Sequence, residues 1–338
     1  MTSRTVKVNN SGDTFSVAED ESILDAALRH GLSLPYGCRD GACGSCKGRV
    51  LAGEISYPDK DLAGITMEEM KSGSALFCQA RAKSDLLIEA RLQETAGDIP
   101  VRKLPCRVEQ HEQLTHDVMR LLLKLPASER LQFLPGQYID ILLASGKRRS
   151  FSLANAPHDD RYLELHVRYY PGGLFSELAF HKLKDKALLR LEGPFGTFCF
   201  NEDSPRPVIM VAGGTGFAPV KSIMEHLLAA GIDRPVHLYW GVRSRADLYL
   251  DDLPRRWSEQ ESLIEYHPVL SEPKPDDDWD GRTGLVHEAV LKDMQDLSGY
   301  DVYTCGPPPM VEAVLNTFTE RGLPREQIFS DSFEFAVD

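Results

Sequence analysis

The stretch YGCRDGACGSCKG, residues 36–48, places three cysteines within nine residues. Cys38, Cys43 and Cys46 follow the spacing C-x4-C-x2-C, and Cys78 comes after 31 further residues. This is the ligand order of a plant-type [2Fe–2S] cluster, three thiolates on one loop and a distant fourth. Gly37, Gly41, Ala42, Gly44 and Ser45 fill the gaps. A loop wrapped around an inorganic core needs backbone freedom and little bulk, and its amides can donate to the cluster sulfurs and tune the potential. Structural zinc usually pairs two C-x2-C-like knuckles, whereas only Cys43 and Cys46 form one here. A C-x-x-C redox pair would leave Cys38 and Cys78 unexplained. Seven cysteines, an odd number in a chain without a signal-peptide-like start, make a disulfide framework a poor reading. Cys106 and Cys199 fall in strand-like segments and read as buried thiols.

Before the loop, TVKV and TFSV alternate around NNSGD, the pattern of a hairpin. ESILDAALRHG predicts a helix capped by Ser22, with Ile23, Leu24, Ala27 and Leu28 on one face and Gly31 as the stop. After the loop, RVLAG and DLLIEAR read as strands. On the cysteine loop and Cys78, residues 1–94 resemble the plant-type ferredoxin domain, which implies a β-grasp fold and Cys38, Cys43, Cys46 and Cys78 as the metal ligands. Residues 95–102 are polar, with Gly97 and Pro100, and read as a linker.

A chain of 338 residues exceeds the size at which one core stops growing, roughly 250 residues, so two or three domains are expected. Its 42% hydrophobic and 26% charged residues are those of a globular protein. The formal charge, 38 − 51 = −13, excludes a general nucleic-acid binder, which needs a basic face. No run approaches the roughly 18 apolar residues of a membrane span, and the expected location is cytoplasmic.

Residues 103–203 are rich in short strands: CRVEQ, VMRLLLKL, QYIDILL, RSFSLAN, YLELHVRYY and ALLRLEG. Their spacing predicts an antiparallel barrel with one helix from GGLFSELAFHKL. KRRSFSLAN carries Arg149, Phe151, Ser152 and Asn155 as R-x-F-S-x-x-N. Alone, this is equally an ordinary strand after a basic turn. YYPGGLFSEL adds Gly172 and Gly173 leading into a helix, with Ser176 in its first turn, a phosphate-type terminus. His166 and Arg168, on the strand leading to that turn, join the cofactor candidates. The two motifs resemble the ferredoxin-NADP reductase superfamily, whose flavin signature is R-x-Y-S. The resemblance implies that Arg149 holds a pyrophosphate, Phe151 packs by the flavin and Ser152 approaches its ring N5. Phe151 departs from the usual tyrosine and lacks its hydroxyl. FAD rather than FMN follows from the family's domain order.

Residues 204–338 alternate strands with helices, which predicts a doubly wound, mostly parallel sheet. PVIMVAGGTGFAPVKSIMEHL is a strand, a glycine turn of Gly213, Gly214, Thr215 and Gly216, and a helix. The order G-G-x-G-x-x-P is not the Rossmann fingerprint. It gains weight from YTCGPPPMV, with Cys305, Gly306 and Pro307, at the end of another strand. Both turns can flank one crevice. The resemblance implies Thr215 and Cys305 beside a nicotinamide, near the reacting atoms with Ser152, and Gly306 and Pro307 shaping its pocket. A buried strand-end thiol is the alternative for Cys305. In WGVRSRADLYL, Arg243 and Arg245 could pair a 2′-phosphate, while Asp247 could accept ribose hydroxyls and repel that phosphate. Similar reductases with this pattern are usually NADH users. NADH is expected and NADPH possible. Phe333 or Phe335 is expected to cover the flavin or to pack in the last strand.

The whole chain resembles fused ferredoxin reductases with the ferredoxin domain first, carrying electrons from NADH through FAD and [2Fe–2S] to a protein acceptor. The flavin is the needed converter between two-electron and one-electron carriers, and no protein acid or base is nominated. Two groups share this order: reductases of bacterial mono- and dioxygenases, and the CDP-6-deoxy-glucoseen reductases that feed a PMP-dependent dehydrase. CRDGACGSCKG, KRRSFSLANAPHDD and GPFGTF look closest to the latter. A non-catalytic iron–sulfur carrier or redox sensor and a free flavin or ferric reductase are the alternatives from other classes. The residues around Arg39, Asp40 and Lys47 are the expected docking rim.

Overall fold

The computed structural model describes residues 3–37, 39, 41–42, 44–58, 62–90, 92 and 99–333. The chain forms two compact units: residues 1–100 with Phe195–Thr197, and the remainder from Val101 onward.

The first unit is built on a five-stranded mixed sheet in the order Thr14–Ala18, Ser3–Val8, Leu86–Glu89, Lys47–Ala52, Ser74–Leu76. The first two strands form the expected hairpin, with Val6 opposite Phe15. Helix Ile23–Arg29 starts where the Ser22 hydroxyl accepts from the Asp25 amide at 3.0 Å. It buries Ile23, Leu24, Ala26 and Ala27. Ala26 takes the place expected of Leu28, which is half-buried, because the i, i+3, i+4 stripe from Ile23 runs through Ala26. A short helix, Met67–Lys71, carries a full capping box between Thr66 and Glu69.

The second unit holds two sheets. Six antiparallel strands run in the order Arg148–Ser152, Tyr138–Leu142, Leu188–Phe195, Arg102–Gln113, Val118–Lys124, Leu163–Arg168. The two edges meet through a bridge between Leu153 and Leu165 and a 2.9 Å bond from the Ala154 amide to the Glu164 carbonyl, so the barrel is nearly closed. Val108, Leu121, Ile139 and Leu165 fill it, and helix Leu174–His181 sets Phe175 and Ala179 against them.

The other sheet is wholly parallel, in the order Arg282–Thr283, Ile264–Leu270, Val236–Val242, Val208–Gly213, Asp301–Gly306, Ile328–Ser332. Val208–Gly213 is buried throughout, as a strand covered on both faces must be. Met210, Ala212, Leu238 and Trp240 pack towards helix Phe217–Ala230. Ile209, Val211 and Tyr239 pack towards helices Val286–Asp293 and Pro308–Thr319. The chain winds outward in both directions from Val208–Gly213, the switch point at which such sheets open a crevice. Helix Asp252–Gln260 is mostly charged and polar and buries only Pro254 and Trp257; the sequence reading does not contain it. No described helix is long and apolar enough to cross a membrane.

Candidate functional site

Cys46 and Cys78 are buried with their sulfurs 3.1 Å apart. A disulfide would need about 2.05 Å, so these are two separate sulfurs converging on one point, a donor arrangement that suits a thiolate-held cluster. Cys38, Cys43 and Asp40 lie outside the described residues. The loop is drawn in by the Gly64 amide donating to the Gly41 carbonyl at 2.9 Å. Gly41 has φ +87, and a Cβ there would stand 2.7 Å from Leu62 Cδ2. Arg39 and Lys47 are both ion-paired, with Asp25 and with Glu69, each at 2.6 Å.

The glycine turn and the Cys305 turn close on one another. A Cβ on Gly216 would lie 2.0 Å from the Cys305 carbonyl oxygen, and one on Gly306 would lie 3.0 Å from the Gly213 backbone. These glycines are therefore required by the contact of two turns. Gly214 makes room for a side chain: a Cβ there would stand 2.9 Å from an Arg168 guanidinium nitrogen. Trp240 stacks on Phe217 with ring centres 4.0 Å apart, and its indole N–H donates to the Gly214 carbonyl at 2.9 Å.

A cavity of about 700 Å³ opens at the carboxyl ends of these strands, walled by Gly213, Thr215, Arg168, Asp247 and Pro307 among others. Cys305 sits behind that wall, fully buried, with its sulfur 4.0 Å from Asp331 Oδ2. Burial, then the Asp331 charge, raises its thiol well above the ordinary value. Phe333 is half-buried against the same core, its amide donating to the Gly306 carbonyl at 2.9 Å. Phe335 lies outside the described residues.

At the outer rim, Asp247 accepts from the Ser244 amide at 2.9 Å and from its hydroxyl at 3.1 Å through Oδ2. Its Oδ1 is buried without a hydrogen-bond partner, which fits a ligand hydroxyl. Asp117 Oδ2 stands 3.0 Å from Arg168 Nε and 3.5 Å from the Arg243 guanidinium, so one carboxylate holds both arginines. Arg245 is turned away, donating to the Asp277 and Asp278 carbonyls. His287, on the same wall, also has a buried ring nitrogen, Nδ1, with no hydrogen-bond partner.

On the barrel, Arg149 and Phe151 alternate with buried Ser152 along one edge strand, and Phe151 packs on Phe175 with ring centres 5.0 Å apart. A guanidinium, an aromatic edge and a buried hydroxyl on one strand fit a flavin nucleotide. Three other candidates are engaged locally. Asn155 donates to the Asp159 carbonyl at 2.8 Å and accepts from the Glu164 amide at 2.9 Å, which ties the loop to the barrel. The Ser176 hydroxyl bonds the Tyr170 backbone, and the Gly172 amide donates to Glu177 at 3.1 Å. Gly173 is the helix N-cap. Cys106 and Cys199 are buried in the barrel segment, and burial pushes both thiols up to about 12.

His166 is a fully buried side chain in a chain of polar groups. Its Nδ1 is 3.0 Å from the Tyr249 hydroxyl and its Nε2 is 2.9 Å from Glu164 Oε1. The partners assign Nε2–H as donor to the carboxylate and Nδ1 as acceptor from tyrosine. Burial lowers the imidazole below its ordinary 6.5, which keeps it neutral at pH 7. Lys221 adds bonds to Glu164 Oε2 and the Ala154 carbonyl, both at 3.1 Å, and to Glu225 at 2.8 Å. Burial alone would raise the Glu164 carboxyl, but the His166 hydrogen bond and the Lys221 charge outweigh it and hold it at about 2. Tyr249 lines the cavity, so the chain runs from helix Phe217–Ala230 through a barrel strand to the cavity wall.

Three family models match in sequence order. A 2Fe-2S iron-sulfur cluster binding domain covers residues 6–83, an oxidoreductase FAD-binding domain 105–200, and an oxidoreductase NAD-binding domain 210–316. The chain is 41% identical over 328 residues to the CDP-6-deoxy-L-threo-D-glycero-4-hexulose-3-dehydrase reductase of Yersinia pestis, covering 97% of this chain and 98% of that one. It is 34% identical over 331 residues to a xylene/toluene monooxygenase electron transfer component of Pseudomonas putida, covering 97% and 93%. Among solved structures, the Amycolatopsis cytochrome P450 reductase is 34% identical with a TM-score of 0.80, covering 98% of both chains. The chain thus carries an iron–sulfur, an FAD and an NAD domain of an oxidoreductase.

Proposed function

Because this chain belongs to the family of reductases that join a [2Fe–2S] ferredoxin domain to FAD and NAD domains of the ferredoxin-NADP reductase superfamily, we propose NADH as its donor and a dehydrase as its acceptor. The bound groups supply two-electron hydride uptake at the flavin and one-electron transfer at the cluster. The residues bind and orient. The guanidinium of Arg149 and the hydroxyl of Ser152 serve the flavin, and the Gly213–Thr215 turn with Arg168 receives the dinucleotide. The observation that carries the donor preference is Asp247 Oδ1, buried at the cavity without a hydrogen-bond partner. A ribose 2′-hydroxyl satisfies it, whereas a 2′-phosphate would meet the Asp247 carboxylate, with Arg243 already paired to Asp117. Arg245, which could have neutralised that phosphate, is spent on two carbonyls.

The greater identity to the Yersinia dehydrase reductase, 41%, than to the Pseudomonas oxygenase component, 34%, supports the dehydrase as acceptor. Residues 1–94 are the cluster domain, 95–102 the linker, 103–203 the flavin domain and 204–338 the nucleotide domain. The cluster is the outlet of the path. Anaerobic titration of the holoprotein tests the reading: NADH bleaches the flavin and iron–sulfur absorption rapidly, NADPH slowly, and added dehydrase with its CDP-6-deoxy-hexulose substrate, which takes up the electrons, restores both. Equal rates with the two nucleotides overturn the donor assignment. Failure of the dehydrase to reoxidise the cluster overturns the acceptor.

A further inference from the structure

Three side chains that take no part in the redox reading converge on the parallel sheet. His237 stands second in strand Val236–Val242, and Glu265 is its direct partner in strand Ile264–Leu270. His267, two residues on, projects from the same face of that strand. His237 Nδ1 lies 3.2 Å from Glu265 Oε2 and His267 Nε2 lies 3.3 Å from the same oxygen. The three ligand atoms all lie within 4.8 Å of one another. The two imidazole rings are stacked, 10° from parallel.

We propose that His237, Glu265 and His267 form a binding site for a divalent transition metal of the zinc class. Ligand atoms about 2.0–2.2 Å from a tetrahedral centre stand roughly 3.4 Å apart, and the two nitrogen-to-oxygen separations are 3.2 and 3.3 Å. Two imidazoles and one carboxylate are a zinc ligand set that leaves a fourth position for water. A second observation points to a missing ligand: His267 Nε2 is buried and has no hydrogen-bond partner, because its approach to the carboxylate lacks hydrogen-bond geometry.

The surroundings support the ligands. Tyr239 packs on the His267 ring with centres 4.5 Å apart, which fixes its orientation. Arg282, whose charge reaches His267, is paired with Asp293 at 2.8 Å. The site lies near the amino ends of its strands, away from the nucleotide crevice at their carboxyl ends. A bound ion therefore staples two neighbouring strands without meeting the donor.

The test is calorimetric titration of Zn²⁺ into holoprotein freed of loosely bound metal by chelator and desalting. The flavin and iron–sulfur absorption bands are recorded before and after, so that loss of the cluster is visible. The expected result is one equivalent bound per chain, with affinity falling at least tenfold in His267→Ala and in Glu265→Gln, since even a lost outer-shell partner costs tenfold or more. Unchanged absorption bands in the variants establish that they are folded. The proposal is overturned if the wild-type chain takes up no more Zn²⁺ than the His237→Ala/His267→Ala double variant, or if the double variant binds it with unchanged affinity.

Discussion

Replacing Glu164 by glutamine removes the charge that ties a barrel strand to helix Phe217–Ala230 while keeping the side-chain shape. The carboxyl is held at about 2 against an ordinary 4.5. At ~1.4 kcal/mol per pH unit, that drop corresponds to ~3 kcal/mol of native-state stability. This is an upper figure, because His166 is neutral and donates a hydrogen bond rather than a full charge, so about 2–3 kcal/mol is the expected loss at pH 7. The folded value lies below the unfolded one. The contribution is therefore complete above pH 4.5 and drains away as pH falls towards 2. All three tryptophans, at 240, 257 and 279, lie in the nucleotide domain, so intrinsic fluorescence during urea unfolding of the holoprotein reports on the domain that holds Lys221. The difference between Glu164→Gln and the wild-type chain should be about 2–3 kcal/mol at pH 7 and shrink steadily below pH 4.5. A variant within about 0.5 kcal/mol of wild type at pH 7, the size of an ordinary surface change, would refute the reasoning. So would a gap that does not narrow in acid.

Other substitutions separate the parts. Asp247→Ala should raise the KM for NADH roughly tenfold, the worth of one lost hydrogen bond to a charged group at about 1.5 kcal/mol. It should also narrow the preference over NADPH; steady-state kinetics with both nucleotides decide it. Cys78→Ser should abolish the iron–sulfur bands and turnover with the acceptor while NADH still bleaches the flavin, and retention of the cluster spectrum would contradict the ligand assignment. Gly216→Ala forces a Cβ to within 2.0 Å of the Cys305 carbonyl. It should cost more than about 1 kcal/mol, read as a lowered urea midpoint, and a wild-type midpoint would show that the two turns are not interlocked.

Motifs that act locally were legible in the sequence. The three-cysteine loop, the glycine turn and the R-x-F-S strand each sit within a dozen residues, and their placement on loops, strand ends and a barrel edge follows from periodicity. The Thr66–Glu69 capping box was equally readable, as T-x-x-E, yet the helix it opens is only five residues long and has no buried face to mark it. What depended on tertiary placement was not legible. Glu164 and Lys221 are 57 positions apart and meet only because a barrel strand packs on a helix of the next domain. Asn155, a cofactor candidate beside R-x-F-S, has both ends of its amide bonded to backbone groups, a tie that the sequence does not show. At the glycines of the two turns, bulk is excluded. What excludes it is the opposing turn, which no reading of either segment alone can supply.

That interlock bears on how the enzyme can be re-engineered. Gly213, Gly216 and Gly306 leave no side-chain volume between the two turns, so neither turn can be exchanged for another reductase's version unless its counterpart travels with it. The rim around Arg243 and Asp247 carries no such constraint. On the proposed role of Asp247, a change of coenzyme is to be sought in that short rim segment, with the paired turns left as a fixed chassis.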